Sequence, residues 1–178
     1  MNARTAGQPI APADFRACVG EFATGVTVVT AAAGDEVAGM TLNSFTSVSL
    51  DPLLVLVSLA HETRTLATTR ASGRFATSVL HRWQREVALR FARRGGDFPM
   101  YLVEERDGFL FVPGALAQLA CRVAEIVPAG DHDLVLGEVV ALRHDAGEPL
   151  VFHRGRLGGL AIDAQVAADS LGGWDAGA

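Results

Sequence analysis

The chain has no lysine; all 15 of its positively charged residues are arginine. Schiff-base chemistry through a lysine amine is therefore excluded, and any phosphate must be held by arginine, hydroxyls or backbone amides. Cysteine is scarce. Cys18 and Cys121 are the only two, too few for a disulfide framework or a zinc set. Both lie among apolar residues and are expected to be buried, inert thiols. The only long apolar run, Leu53 to Leu59, falls far short of the about 20 residues of a membrane helix. The first residues lack the apolar stretch of a signal peptide. Positive charge is not in excess either: the net charge is -5, which disfavours nucleic acid as a partner. These absences predict a cytoplasmic protein with no membrane or nucleic-acid partner. What remains is 178 residues, 49% of them hydrophobic, enough to build one domain with a sizeable core.

Familiar catalytic motifs are also missing. There is no G-x-S-x-G elbow, P-loop, C-x-x-C or H-E-x-x-H, and no G-x-G-x-x-G at a strand-to-helix turn. Asp131-His132-Asp133 has metal-ligating residue types, but it lacks ligand spacing on rigid elements and reads as a loop, with no metal expected.

Hydrophobic periodicity outlines the elements. Pro12 to Phe22 reads as a helix with Phe15, Cys18, Val19 and Phe22 on its inner face, stopped at Gly25. Val26 to Thr30 is a β-branched strand, and Gly34-Asp35 is a turn. Leu53 to Leu59 is apolar at both parities, the pattern of a central strand buried on both faces. His61 to Thr65 leads into a helix that runs to about Ala71 and stops at Gly73. Arg74 to Leu80 is a strand, and Trp83 to Arg93 a helix with Val87 and Phe91 inward. Leu116 to Val127 is a strand with a polar face, and Leu134 to Leu142 a long buried strand. Asp145 to Glu148 reads as a hairpin turn before a short strand at Leu150 to Phe152. Residues 1–11 read as a flexible lead and 163–178 as a loose tail, with Trp174 its one candidate for docking. Strands outnumber helices and mostly follow one another directly. That predicts a mainly β, antiparallel barrel or sandwich in a single domain spanning 1–178, with its core at about 12–160.

Gly39 to Ser49 stands out. Met40 and Leu42 share one parity, Phe45 breaks it, and Val48 and Leu50 restore it. The break falls on Asn43-Ser44. Two readings fit: a bulge whose freed backbone groups await a flat, polar-edged ligand, or an irregular edge strand with hydroxyls facing water. The segment alone favours the second. Thr63-Arg64-Thr65 also admits two readings. A helix start with an arginine and two hydroxyls suits a phosphate. Thr63 as a plain cap beside a solvated Arg64 is simpler and is favoured by the segment alone.

Three stretches carry a resemblance to a known family. They are Phe15-Arg16-x-x-x-Gly20-x-Phe22-Ala23-Thr24-Gly25-Val26-Thr27-Val28-Val29-Thr30, Gly39 to Pro52, and Gly130-Asp131-His132-x-Leu134-x-x-Gly137-Glu138-Val139 with His153-Arg154-Gly155 beyond it. In this order they make the chain resemble the short-chain flavin reductases, the reductase components of two-component flavin monooxygenases. The resemblance implies a split β-barrel that forms a homodimer and binds FAD or FMN near the dimer interface. It implies an enzyme that uses NADH or NADPH as hydride donor and supplies reduced flavin to a partner monooxygenase or halogenase. It places Asn43 and Ser44 against the polar edge of the isoalloxazine ring, with Thr41 and Ser47 of the same segment also binding cofactor. It places Ser58 and Thr63-Arg64-Thr65 near the flavin phosphate, and Phe91-Ala92 near the cofactor. His132 and His153 become the catalytic candidates near the nicotinamide. The family often carries an aromatic residue where this chain has Leu157. Such chemistry needs no triad, because the cofactors carry it and the protein orients them. A flavin-binding electron carrier and a non-catalytic β-barrel module remain as alternatives.

Overall fold

The computed structural model describes residues 7, 9–93 and 95–160. The expected tail, the possible docking of Trp174 and most of residues 1–8 lie outside these described residues. The elements in order begin with α1 (Pro12–Val19), β1 (Thr24–Gly25), β2 (Thr27–Ala33), β3 (Glu36–Leu42), β4 (Thr46–Leu50) and β5 (Leu53–Ala60). Then follow α2 (Arg64–Ser72), β6 (Arg74–Val79), α3 (Arg85–Phe91), a 3-10 turn at Met100–Leu102, β7 (Glu104–Arg106) and β8 (Phe109–Phe111). The last four are β9 (Ala117–Ala129), β10 (His132–His144), β11 (Leu150–His153) and β12 (Arg156–Gly159). Among the described residues, no helix is long and apolar enough to cross a membrane.

Seven strands form one antiparallel sheet in the order β3-β2-β6-β9-β10-β5-β4. Its two edges, β3 and β4, are consecutive in the chain and joined only by Asn43, Ser44 and Phe45. The four Cα steps from Leu42 to Thr46 span at most ~15 Å. In a flat sheet, six strand spacings would separate these edges by ~29 Å. The sheet must therefore curl until its edges approach each other, making a barrel split along one seam. The expected antiparallel split barrel is present.

The interior is filled by Val29, Leu42, Val55, Val57, Leu59, Leu66, Phe75, Cys121 and Val135. A second cluster outside the wall packs Val26, Val28, Leu80, Ala88, Phe91, Val112 and Leu150. β2 lies between the two clusters, and Thr27 through Ala31 are all buried. The strand buried on both faces is thus β2 and not the Leu53–Leu59 segment. In β5 only Val55, Val57 and Leu59 are fully buried; Leu54, Leu56 and Ser58 are half-exposed on the outer surface. β10 is likewise buried at Asp133, Val135 and Gly137 but exposed from Val140 onward.

Other expectations change. The inner face predicted for the first helix has nothing to pack on: α1 has no buried residue, and Phe15, Val19 and Phe22 are exposed. Helical periodicity identifies a face but not what covers it. Cys18, on the same helix, is exposed rather than buried. Cys121 is buried as expected, which pushes its thiol pKa up to about 12. The helix around Trp83–Arg93 shortens to α3, with Trp83 exposed. Asp145 to Glu148 is no hairpin turn, because β11 pairs with β1 and β12 rather than β10. The second helix matches closely. Thr63 caps α2 by accepting a hydrogen bond from the Leu66 N–H, and Gly73 ends it at φ 64°, in the left-handed region that glycine adopts readily.

Candidate active site

The parity break in Gly39–Ser49 is neither a bulge in a continuous strand nor a plain edge. β3 ends at Leu42, and Asn43–Phe45 carries the chain across the seam to the opposite edge. The bulge lies further on, between Ser47 and Ser49 in the pairing of β4 with β5.

Side chains hold the seam where the backbone ladder stops. The Ser44 hydroxyl donates to the Ser58 carbonyl and accepts from the Ser58 N–H, each at 3.1 Å. The Asn43 Nδ2 donates to the Thr24 Oγ1 at 3.1 Å. Thr24 pairs across the ladder with Phe152, the neighbour of His153. On the other side Ser58 pairs with Leu134, and Ala60 with His132. The Thr63 hydroxyl then donates to the Ala60 carbonyl at 2.8 Å. A continuous band of contacts thus runs His153–Phe152–Thr24–Asn43–Ser44–Ser58–Ala60–Thr63, with His132 beside Ala60. Residues from five separate elements and the corner join one surface strip. Thr41 attaches α3 to it: its hydroxyl donates to the Ala88 carbonyl at 2.7 Å.

This geometry limits which atoms are free for a ligand. The Ser44, Thr41 and Thr63 hydroxyls are already committed to backbone partners. The Thr65 side chain is buried at 3% exposure. Neither hydroxyl is therefore free for the phosphate grip the resemblance implies, and the groups left open there are the unpaired N–H groups at the start of α2 and Arg64. The Arg64 guanidinium is exposed and makes only long, 3.5 Å contacts with Glu36 and the Val37 carbonyl, a weak hold in solvent. Phe91 is buried against Phe98, ring centroids 5.6 Å apart. Only Ala92, exposed at the end of α3, presents that stretch to solvent. Ser47 and the Asn43 carboxamide oxygen stay accessible on the seam, beside the unpaired outer edge of β4. Such donors and acceptors fit the polar rim of a flavin ring. The helix start and Arg64 fit its phosphate.

The two histidines occupy different settings. His132 opens β10, with Nδ1 2.7 Å from the Asp131 Oδ1. A carboxylate only accepts, so Nδ1 carries the proton and Nε2 is left free. The same hydrogen bond holds the Asp131 carboxyl below its usual range. Behind His132, Asp133 is 2% exposed and is met by Arg70 from α2 and by the His61 Nε2 at 3.1 Å. Arg70, the leading cause, holds the Asp133 carboxyl below its usual value. The sequence reading missed this cluster, although a signal was there: Asp133 shares its parity with buried Val135, a polar residue at a core position. His153 ends β11, exposed, 3.8 Å from the Glu21 Oε2. Glu21 is held more closely by Arg154, Nε to Oε1 at 2.8 Å. A groove of about 530 Å³ opens beside His153, lined by Val151, Arg154, Arg156, Leu157, Gly158 and Gly159. Leu157, besides lining this groove, is partly buried against the second apolar cluster.

Comparison with known proteins agrees with this geometry. Residues 19–161 match the model of the flavin reductase like domain. An NADH-dependent flavin reductase of a Rhodococcus species is 42% identical over 164 residues, covering 89% of this chain and 93% of that protein. The solved structure of the NADH:FAD oxidoreductase SgcE6 of Streptomyces globisporus C-1027, in complex with NAD and FAD fragments, superposes with a TM-score of 0.81. It is 37% identical and covers 89% of this chain and 99% of that one. BorF, the flavin reductase component of a bacterial two-component tryptophan halogenase, superposes with a TM-score of 0.80. It is 37% identical and covers 86% of this chain and all of the other. A family match across most of the chain, with a 42% identical relative aligned over 89% of it, establishes that this protein belongs to the flavin reductase family.

Proposed function

We propose that the chain is an NAD(P)H:flavin oxidoreductase that reduces FAD or FMN with NADH or NADPH and passes reduced flavin to a partner monooxygenase or halogenase. The observation that carries this reading is the seam strip. It joins the expected flavin contacts Asn43, Ser44 and Ser58 to both histidines through an unbroken series of contacts, with Ser47 following on β4. A bound flavin supplies the hydride acceptor, so the protein's task is to place two cofactors face to face. Ser47, the Asn43 carboxamide and the β4 edge bind the ring's polar rim, the start of α2 with Arg64 binds the phosphate, and Phe91 and Thr41 support that wall from behind. His132, with its proton fixed on Nδ1 by Asp131, offers Nε2 to the amide of the nicotinamide. His153 flanks the same face from β11.

The exposed apolar residues of α1 and the turn after it (Phe15, Val19 and Phe22) and of the β4–β5 hairpin (Val48, Leu50 and Leu53) support a homodimer, since exposed apolar patches of this kind mark association surfaces. Reduced nicotinamide as donor suits a cytoplasmic protein. The test is a steady-state assay with each pairing of NADH or NADPH with FAD or FMN. Flavin-dependent oxidation in at least one pairing is expected. Its absence in all four, with protein shown to be folded, would overturn the reductase reading. Sedimentation analysis giving only a monomer would remove the dimer.

A further inference from the structure

Among the described residues, Asp133 is the one buried side chain that carries a charge. It occupies an inward position of β10, on the face of Val135, where an apolar residue would pack without any cost of desolvating a charge. A buried ion pair adds little stability over well-packed apolar side chains, whereas breaking one is strongly destabilising. A carboxylate kept at such a position points to placement rather than to stability alone. Its partners show what is placed. One carboxylate oxygen accepts from Arg70 of α2, the other from the His61 Nε2 at 3.1 Å. His61 lies between β5 and α2, and its backbone N–H donates to the Asp131 carbonyl at 3.1 Å.

These bonds connect the two surfaces that the reductase reading assigns to different cofactors. The body of α2 lies mainly against β2 and β3. Arg70 to Asp133 is its one polar link to β10 among the described residues. The start of the same helix, with Arg64, is the surface assigned to the flavin phosphate. On β10, successive side chains point to opposite faces, so His132 leaves the strand on the side away from Asp133. There the Asp131 carboxylate fixes its Nδ1 at 2.7 Å. The series therefore runs Arg70–Asp133–His61–Asp131–His132, from the flavin-phosphate helix to the donor-side histidine. Arg70 and His61 are both half-exposed, so this latch opens at the surface.

We propose that Asp133 is a positioning residue shared by the two cofactor sites: it latches the start of β10 to α2, and only the latched form presents the flavin-phosphate surface and His132 together. The inference rests on the reductase reading and goes beyond it, because Asp133 acts through Arg70 and His61 rather than on a cofactor. A shared latch has a definite signature. When only a fraction f of the protein is latched, the apparent Kd of each ligand is its intrinsic Kd divided by f. The first ligand to bind holds the latch closed and removes that penalty for the second.

The test titrates flavin-free protein with FMN and with FAD, followed by flavin fluorescence. Each titration is run with and without a saturating 1,4,5,6-tetrahydro analogue of NADH or NADPH, which has no hydride to give up. Arg70→Gln, altered at a half-exposed side chain, should raise the flavin Kd by about threefold to tenfold, the scale of one charge-assisted bond partly open to water. With the analogue present, the Kd should return to within about twofold of the parent's. Asp133→Asn should behave as Arg70→Gln does, and Arg70→Lys, which keeps a cation, should show a smaller deficit. Arg64→Ala, which removes a direct flavin contact, should keep its deficit in the presence of the analogue. An unchanged flavin Kd in both Arg70→Gln and Asp133→Asn, whatever their thermal stability, would overturn the latch. So would a deficit that the analogue leaves intact, or an equal recovery in Arg64→Ala. All three results leave the reductase reading standing. Failure of the parent protein to oxidise NADH or NADPH with either flavin would instead defeat that reading, and the latch with it.

Discussion

Ser44→Ala separates the two roles that its position offers. The Ser44 hydroxyl makes a reciprocal pair of 3.1 Å bonds with the Ser58 backbone, at a point where β3 has ended and the ladder of β4 has not begun. Alanine removes both bonds and leaves the Ser58 N–H and carbonyl to find other partners. Each bond contributes about 1 kcal/mol net, and a stranded buried group costs a further ~1–3 kcal/mol. Ser44 and Ser58 are only half-buried, so water relieves much of that second term. The expected loss is then about 2 kcal/mol, which for a chain of this size lowers Tm by about 4–8 °C. Calorimetry on flavin-free protein measures it, and titration of flavin fluorescence gives the affinity in parallel. Most of the effect should appear without ligand, with only a modest loss of flavin binding. If the stability of the flavin-free variant matched the parent while flavin binding fell tenfold or more, the hydroxyl would be a ligand contact and the seam argument would fail.

Four further outcomes are expected. Arg64→Ala should weaken FMN and FAD binding severalfold, with the reduction rate at saturating flavin little changed; unaltered affinity would remove its phosphate role. His132→Ala should slow flavin reduction or raise the donor KM in stopped-flow traces, and unchanged kinetics would make the residue structural. Asp133→Asn should flatten the acid limb of the stability curve. With its folded pKa below the unfolded value of about 3.9, the carboxylate contributes fully above that pH, and the contribution is lost as pH falls through the folded pKa. The parent should therefore lose more stability than the variant between pH 5 and acid in chemical denaturation, and parallel curves would contradict this. Gly137→Ala places a Cβ 2.5 Å from Phe75 and 2.9 Å from Cys121. It should destabilise by at least about 1–3 kcal/mol, a loss that Phe75→Leu partly restores in the double variant; a neutral Gly137→Ala would show that the barrel wall yields.

Where local rules decide the outcome, the sequence was sufficient. Thr63 and Gly73 bracket α2 because a cap and a left-handed glycine act within one turn. The corner at Asn43–Ser44 was detectable as a parity fault, but its meaning depends on which strands lie at the sheet edges. That is a non-local fact, absent from any eleven-residue window. The same limit explains β5 and β11. A run of apolar residues cannot say whether its second face meets a core or an outer surface. The four residues at Asp145–Glu148 satisfy turn chemistry whether the chain reverses or crosses over. At the site, residue types pointed to Asn43, Ser44 and Thr63, but not to the bonds that already occupy the Asn43 Nδ2 and the Ser44 and Thr63 hydroxyls.

A cylinder slit along its length opens at the slit. In this barrel the slit is bridged by a three-residue covalent link and a few side-chain clasps, whereas β6, β9 and β10 are laddered on both sides. Amide exchange should therefore be fastest in β3 and β4 through local opening, well before the wall opposite responds. A molecule bound along the slit becomes an additional clasp, so occupancy and breathing are linked. Flavin binding should slow exchange at Thr41 and Ser47 more than at Thr77, and release of the product should coincide with the slit relaxing.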